Sequence, residues 1–177
     1  MFKKLLITTA ILAATTTTAF ANGAPYVGIS TGVTVNTADT LNYTGMPGTI
    51  FGGFGANMGQ GFYFAGEVFA TFGHATMTDN GLKSTYEYGV SLIPGIMISD
   101  HTMGFGRLGL AQTRFAPSGV NNSTVTGVQF GLGLQTSLTQ NWDLRGEYDY
   151  TLQKNLSGLG SSPRTNDTTI ALVYKFD

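Results

Sequence analysis

Apolar residues recur at every second position through most of this chain, and residues 144–152, LRGEYDYTL, show the pattern clearly. Leucine, glycine and tyrosine alternate there with Arg145, Glu147, Asp149 and Thr151. A period of two predicts a β-strand, because successive side chains of a strand point to opposite faces of the sheet. One face of this strand is therefore apolar and aromatic, whereas the other is charged.

Eight stretches show such strand patterns, at residues 25–35, 49–58, 62–74, 86–98, 103–115, 125–138, 142–152 and 168–176. The connections alternate between short ones (59–61, 99–102 and 139–141) and longer polar ones (36–48, 75–85, 116–124 and 153–167). This alternation is typical of an up-and-down barrel whose short turns face the periplasm. We therefore predict an all-β fold, an eight-stranded antiparallel transmembrane barrel with four extracellular loops.

The same alternation assigns one face of each strand to lipid and the other to the lumen. The inward charged residues are Glu67, Glu87, Arg107, Arg145, Glu147, Asp149 and Lys175. Four acids nearly balance three bases, and the interior of an eight-stranded barrel is just wide enough for side chains, so we expect a lumen closed by ion pairs. The inward glycines Gly53, Gly55, Gly131 and Gly133 are expected to leave room for water.

Two residues disturb the pattern of alternation. Phe105 falls on the same face as the inward Arg107, although the other large apolar residues are expected to face lipid. Pro94 lies in the middle of a predicted strand, where a proline removes a hydrogen bond of the ladder or marks a bulge.

Composition supports a membrane location. Only 11% of the residues are charged, whereas soluble domains contain about 25%, so much of the surface is expected not to face water. At the N-terminus, Lys3 and Lys4 precede a short apolar run and Ala19-Phe20-Ala21, the pattern of a secretory signal peptide over residues 1–21. Cleavage between Ala21 and Asn22 would leave a barrel domain of residues 22–177; a short membrane anchor is the alternative reading.

Several segments resemble the small eight-stranded outer membrane β-barrel family, which includes the outer membrane protein A transmembrane domain and the opacity-type surface proteins. PYVGISTG and IFGGFGAN are similar to the first two strands of that family. SLIPGIMISDHTMGFGRLGLA resembles its central hairpin, NWDLRGEYDYT its penultimate strand and VYKF its closing strand. The resemblance covers residues 25–176 and implies the fold, but the family includes anchors, adhesins, pores and enzymes, so it does not select a function.

The resemblance also implies roles for particular residues. The lumen of the outer membrane protein A domain holds a network of ion pairs, at positions that correspond here to Glu67, Arg107, Arg145 and Glu147. The chain departs from that family at Ile93, where a basic residue is usual, and at Gln135, where an acid is usual. These departures argue against switching of salt-bridge partners.

The family's C-terminal assembly signal ends on an aromatic residue, and Tyr174 and Phe176 have the matching alternation. Asp177 follows Phe176, however, and Ala171 stands where the family usually has glycine. We expect the barrel assembly machinery to recognise this signal.

Other motifs give weaker indications of chemistry. Glu147 and Asp149 have a spacing suited to acid–base catalysis, but a lumen gives a glycan substrate no access. Residues 104–109 spell GxGxxG without the strand–helix context of a nucleotide site. His74 and His101 are predicted on opposite sides of the membrane, so they cannot share a metal, and the segment around His74 lacks the serine of a lipid-modifying enzyme. We expect no catalytic residue, metal or cofactor.

We therefore expect a passive outer membrane protein of a Gram-negative bacterium, a structural anchor or adhesin-type surface protein that displays its loops. The alternative function is a small-solute pore with a charged lumen; a lipid-modifying enzyme is less favoured.

The alternative fold is an exported soluble β-sandwich or lipocalin-like barrel. Expected partners are membrane lipid and lipopolysaccharide, periplasmic chaperones, the barrel assembly machinery and an extracellular or host surface ligand. We expect a monomer, and the acidic mature chain excludes a strongly basic surface for nucleic acid.

Overall fold

The computed structural model describes residues 23–38, 41–72, 83–116, 123–153 and 164–176 of the chain. They form nine β-strands: β1 Gly23–Ala38, β2 Leu41–Gly45, β3 Gly48–Gly59, β4 Phe62–Phe72, β5 Lys83–Met97, β6 Thr102–Ala116, β7 Ser123–Ser137, β8 Trp142–Gln153 and β9 Arg164–Lys175. This part of the chain contains no helix long and apolar enough to cross a membrane. The predicted signal peptide, with Ala21 and Asn22, lies outside the described residues.

The strands form one antiparallel sheet that closes on itself. β3 to β9 pair in sequence order, β1 pairs with β3, and closure comes from the pairing of β1 with β9, which extends from Tyr26–Lys175 to Thr37–Arg164. The closed ring contains eight strands, β1 and β3–β9, which confirms the predicted fold class. Because a closed ring has no sheet edge, the backbone polar groups of its wall can pair with one another, as a hydrocarbon environment requires.

The predicted long connection at residues 36–48 is wrong over most of its length. β1 continues into it and pairs with β2, in the same register with which β1 pairs with β3. β2 and β3 therefore form one line along β1, interrupted only at Met46 and Pro47. Proline has no N–H to donate to the ladder, and the hydroxyl of Thr31 donates a hydrogen bond to the Pro47 carbonyl oxygen instead (3.1 Å).

The three predicted short turns lie at one end of the barrel, together with Gly23 and Phe176. By the rule for outer membrane barrels this short-turn end is periplasmic. In the first turn Gly59, Gln60 and Gly61 all have positive φ angles (84°, 52° and 80°), a conformation that glycine adopts without steric strain. The other three predicted loops fall largely outside the described residues, although their ends belong to strands: β5 begins at Lys83 and β9 at Arg164.

Pro94 has the local effect expected of a proline within a strand. The pairing of β5 with β6 is interrupted at Ile93 and Pro94, whereas the pairing of β5 with β4 continues through both residues. On the outer wall Pro94, Gly104 and Gly106 line a shallow, mostly apolar concavity of about 910 Å³.

Exposure alternates along the strands as the sequence pattern predicts. In β8, Leu144, Tyr148 and Leu152 are exposed on the outer wall, whereas Arg145 and Glu147 are buried in the lumen. The same alternation holds for the apolar outer faces of β4, β5, β7 and β9. The barrel therefore presents an apolar surface to acyl chains and keeps its charges inside.

The lumen is less polar than predicted. A buried cluster of Tyr26, Phe51, Phe69, Ile93, Phe105 and Val173, among others, also points inward, most of it toward the short-turn end. The position of Phe105 beside Arg107 is therefore not a fault in the pattern but part of this cluster.

Inward glycines make room for these rings. Phe51 lies opposite Gly28 on the neighbouring strand, and Phe105 lies opposite Gly133. The expectation that inward glycines leave room for water is wrong, because side chains fill the space beside them: Tyr26 beside Gly53, Tyr63 beside Gly55, Asp149 beside Gly131 and Phe105 beside Gly133. Each of these aromatic rings lies over a glycine, and a Cβ atom at that glycine would overlap the ring.

Replacing Gly133 with alanine is expected to destabilise the barrel by about 1–3 kcal/mol, because its Cβ would lie 2.3 Å from Phe105 Cζ. Gly146 is the matched control: it lies on the facing strand, points to lipid and has no atom within 4 Å of a built Cβ. Gly146→Ala should change stability by less than about 0.5 kcal/mol. Urea unfolding of the folded protein in detergent measures both, and equal stabilities for the two variants would contradict this packing.

Candidate functional site

The middle of the lumen holds a network of buried charges from three strands, β4, β6 and β8. Glu67 of β4 lies between Arg107 of β6 and Arg145 of β8, with N–O distances of 2.6 Å and 2.7 Å. Arg107 also binds both carboxylate oxygens of Glu147, through Nε to Oε1 and through Nη2 to Oε2 (3.0 Å). Two parallel bonds of this kind are the strongest arrangement for a guanidinium and a carboxylate. Ser91 accepts a further hydrogen bond from Arg107 (3.1 Å).

Arg145 is enclosed by aromatic rings as well as by its acid partner. Its guanidinium carbon lies 5.5 Å from the ring centre of Tyr26, 4.9 Å from that of Phe51 and 5.2 Å from that of Phe105. A cation over aromatic faces is attracted by their quadrupoles, and the attraction grows when water is excluded. Only 2% of Arg145 is exposed, so the rings replace part of its lost hydration.

The network continues to the short-turn end of the barrel. Arg145 Nε donates to Gln135 Oε1 (2.8 Å), and Gln135 Nε2 donates to Asp143 (2.6 Å). Asp143 pairs with Lys175 (2.9 Å). Gln135, one of the departures from the family pattern, thus bridges an arginine and a carboxylate without adding charge. Ile93, the other departure, is completely buried and packs in the apolar cluster.

Two of the predicted lumen residues stand apart from this network. Glu87 accepts a hydrogen bond from Thr113 (2.6 Å), and within the described chain no basic group lies within salt-bridge distance of it. Asp149 approaches Arg107 Nε only to 3.6 Å. Of the seven predicted residues, the structure brings Glu67, Arg107, Arg145 and Glu147 into one cluster and places Lys175 with a different acid.

The sequence analysis missed two inward acids, Asp143 and Asp167. Asp143 follows Trp142 at the start of β8, and Asp167 lies in β9 where a loop was predicted. The strand alternation identifies both once the strand bounds are known. The described lumen therefore contains six carboxyl groups and three basic groups, so the predicted near balance is wrong and the acids outnumber the bases by three.

The catalytic candidates do not assemble into a site. His74 lies outside the described residues, and His101 is exposed in a turn at the short-turn end. The GxGxxG segment is the middle of β6 and is not followed by a helix. Among the described residues, no group of three or more acid or histidine side chains converges in a way that could hold a metal ion.

The sequence model of the outer membrane protein beta-barrel domain matches residues 6–176. The chain belongs to this family. Its location is accordingly the bacterial outer membrane, with the lumen network inside the wall of the barrel. No curated protein is significantly similar to the chain in sequence.

Solved structures of the same fold include neisserial surface protein A, which is 18% identical with a TM-score of 0.65 over 86% of this chain and 97% of that one. Ail, the attachment invasion locus protein of Yersinia pestis, is 16% identical with a TM-score of 0.60 over 88% of this chain and 99% of that one. At these identities the likeness shows the fold alone.

Aromatic residues form a cluster at the short-turn end of the outer membrane barrel. The rings of Trp142 and Tyr174 lie 5.0 Å apart edge to face, and so do the rings of Tyr174 and Phe176. Their exposure on the outer wall suits the girdle where a membrane meets water. The two C-terminal aromatic residues of the predicted assembly signal are therefore on the lipid face.

Replacing Arg145 with alanine is expected to lower the free energy of unfolding by about 3–5 kcal/mol, because a buried carboxylate loses a partner. In a double-mutant cycle with Glu67→Gln, the two losses should sum to more than the loss of the double variant, by about 1–3 kcal/mol. Urea unfolding in detergent measures the cycle. Lys175→Ala removes a partly exposed charge at the barrel end and should cost less than Arg145→Ala, because its partner Asp143 keeps the hydrogen bond from Gln135. Additive effects of Arg145→Ala and Glu67→Gln would show that the pair is not coupled.

Proposed function

We propose that this protein is a closed membrane anchor that presents its outer connections at the cell surface, an adhesin-type surface protein and not a solute channel. The observation that carries the proposal is the filled lumen. Glu67, Arg107, Arg145 and Glu147 join the walls at mid-height, and each is at most 8% exposed.

The apolar cluster supports a closed lumen below that network. Ile93 and Val173 have no exposed surface, and Phe51 and Phe105 pack against the guanidinium of Arg145. A hydrated ion would have to displace these rings and break the ion pairs to pass. A small-solute pore is therefore the less favoured alternative.

Catalysis has little support in the lumen. Glu147, a predicted candidate base, is bound through both oxygens by Arg107. The buried position of this carboxylate gives a substrate no approach. The proposal therefore assigns no enzymatic activity to these residues.

The lengths of the strands support presentation of the outer end. β1 has 16 residues and β5, β6 and β7 have 15 each, whereas about 9–11 tilted residues cross a bilayer. On the outer wall Tyr88 donates to Gln112 (2.7 Å) and Tyr148 donates to Asn166 (2.8 Å). These polar pairs suit the upper membrane boundary, so β1 and β2 extend beyond it. The names of the two structural relatives, a surface protein and an attachment protein, agree with such a role.

The folded protein is expected to show no discrete openings in single-channel recordings in a planar bilayer. Its folded state is verified by the shift in gel mobility on heating. Arg145→Glu tests the constriction, and Lys175→Glu at the short-turn end is its control. Openings of the natural protein whose ion selectivity changes with Arg145→Glu, but not with Lys175→Glu, would establish a pore and refute the closed anchor.

Replacing residues 73–82, 117–122 and 154–163 with short Gly-Ser turns is expected to abolish attachment of expressing cells to abiotic or host surfaces. The barrel should still fold, because the described strands close into a ring without these segments and long connections contribute little to stability. Replacement of the short turn 138–141 is the control. Attachment that survives removal of the three outer segments would contradict the adhesin-type role.

A further inference from the structure

We propose that the outer half of the lumen binds one divalent cation of the oxygen-seeking class, held by the carboxylates of Asp149 and Asp167 and the amide oxygen of Gln129. The three side chains line one cavity of about 40 Å³. The proposal rests on the charge balance of the lumen, on the pairing of the two acids and on buried oxygens that lack partners.

The excess of acidic over basic groups is concentrated at one end of the lumen. Toward the short-turn end Asp143 is neutralised by Lys175, and Arg145 neutralises Glu67. Arg107 is the basic group that lines the cavity, and it is already bound to Glu67 and Glu147. Among the described side chains of the outer half, Glu87 and Asp167 form no ion pair, and Asp149 has only the 3.6 Å approach of its Oδ1 to Arg107 Nε.

Asp149 and Asp167 are direct cross-strand partners in the pairing of β8 with β9. Both lie on the inward face, so their Cβ atoms are about 4.5–5.5 Å apart, and like charges in this relation are destabilising. Asp167 accepts a hydrogen bond from Thr34, a neutral donor that stabilises one oxygen but adds no positive charge. A cation between the two carboxylates would convert the repulsion into attraction.

Two buried oxygens of the same cavity have no hydrogen-bond partner. They are Gln129 Oε1 and Asp149 Oδ1, on residues that are 5% and 7% exposed. Buried acceptors are normally satisfied, and an unsatisfied one indicates a missing donor, water or ion. Gln129 contributes a neutral acceptor at the point where the acids supply charge. This is a different observation from the acidity of the cluster, and it indicates the same occupant.

The donor set decides the class of ion. Carboxylate, amide and hydroxyl oxygens select Ca²⁺ and Mg²⁺ over metals that prefer nitrogen or sulfur. Ca²⁺ tolerates irregular oxygen geometry, whereas Mg²⁺ demands an octahedron, so the irregular wall of a barrel favours Ca²⁺. The described carboxylates do not yet converge to metal-ligand geometry, so binding includes rotation of Asp149 and Asp167 toward the ion.

Protein extracted from the outer membrane in detergent, treated with EDTA and dialysed, is titrated with CaCl₂ by calorimetry and by thermal unfolding. We expect one saturable site and a raised Tm at constant ionic strength. In the double variant Asp149→Asn, Asp167→Asn the affinity should fall at least about tenfold, since ligand charge sets affinity in such sites. Gln129→Met should weaken binding less. Asp100→Asn, an exposed acid in the turn at the opposite end, is the matched control and should bind as the natural protein does.

A second measurement separates metal binding from a fold defect and from protonation. Without Ca²⁺ the double variant should be at least as stable as the natural protein, because the repulsion is removed, and only the natural protein should gain stability on adding Ca²⁺. Calcium binding that persists in the double variant would overturn the proposal. So would stabilisation of the natural protein by acid pH alone with no response to Ca²⁺, which would show that the two acids share a proton.

Discussion

The interior of an eight-stranded barrel has a fixed and narrow width, and the inward side chains must fill it. This constraint explains why Arg145 is stacked among three rings and bonded to Glu67 and Gln135 at the same time. A charge in so dry a place costs several kcal/mol unless every donor finds a partner. The same width forces large inward side chains to face glycine, so the glycine content, the aromatic cluster and the ion pairs have one cause.

The lumen divides into three layers of different character along the barrel axis. Apolar side chains and the Asp143–Lys175 pair fill the short-turn end, a connected set of ion pairs crosses the middle, and the surplus acids line the outer end. Closure at the middle and inner layers favours an anchor over a conduit. The outer layer lies toward the end of the barrel opposite the short turns.

The strand pattern predicted the ring and its faces well, because a period of two is set by local geometry. Residues 36–48 misled the prediction, since Asn, Thr, Asp and Gly there are turn formers, yet the register of β1 carries the ladder through them. The inward position of Asp167 was missed for the same reason, because it lies in the polar run TNDTT, which resembles a loop but belongs to β9. Alternation places Phe51 on the face of the inward Gly53 and Gly55, but large apolar residues were expected to face lipid. Pairs across the lumen, such as Glu67 with Arg145 at 78 residues' separation, depend on strand tilt and stagger, which no local pattern contains.

The break at Met46 and Pro47 separates the outer hairpin from the wall without changing its register. Pro47 donates no N–H to the hydrogen-bond ladder along β1, so the ladder is weakest between β2 and β3. Local opening is therefore expected to begin there, with β2 separating from β1 while β3 stays paired. Amide hydrogen exchange would then divide at this proline into a fast outer unit and a slow inner unit. The outer hairpin of β1 and β2 can therefore deform while the closed ring of strands in the membrane stays intact.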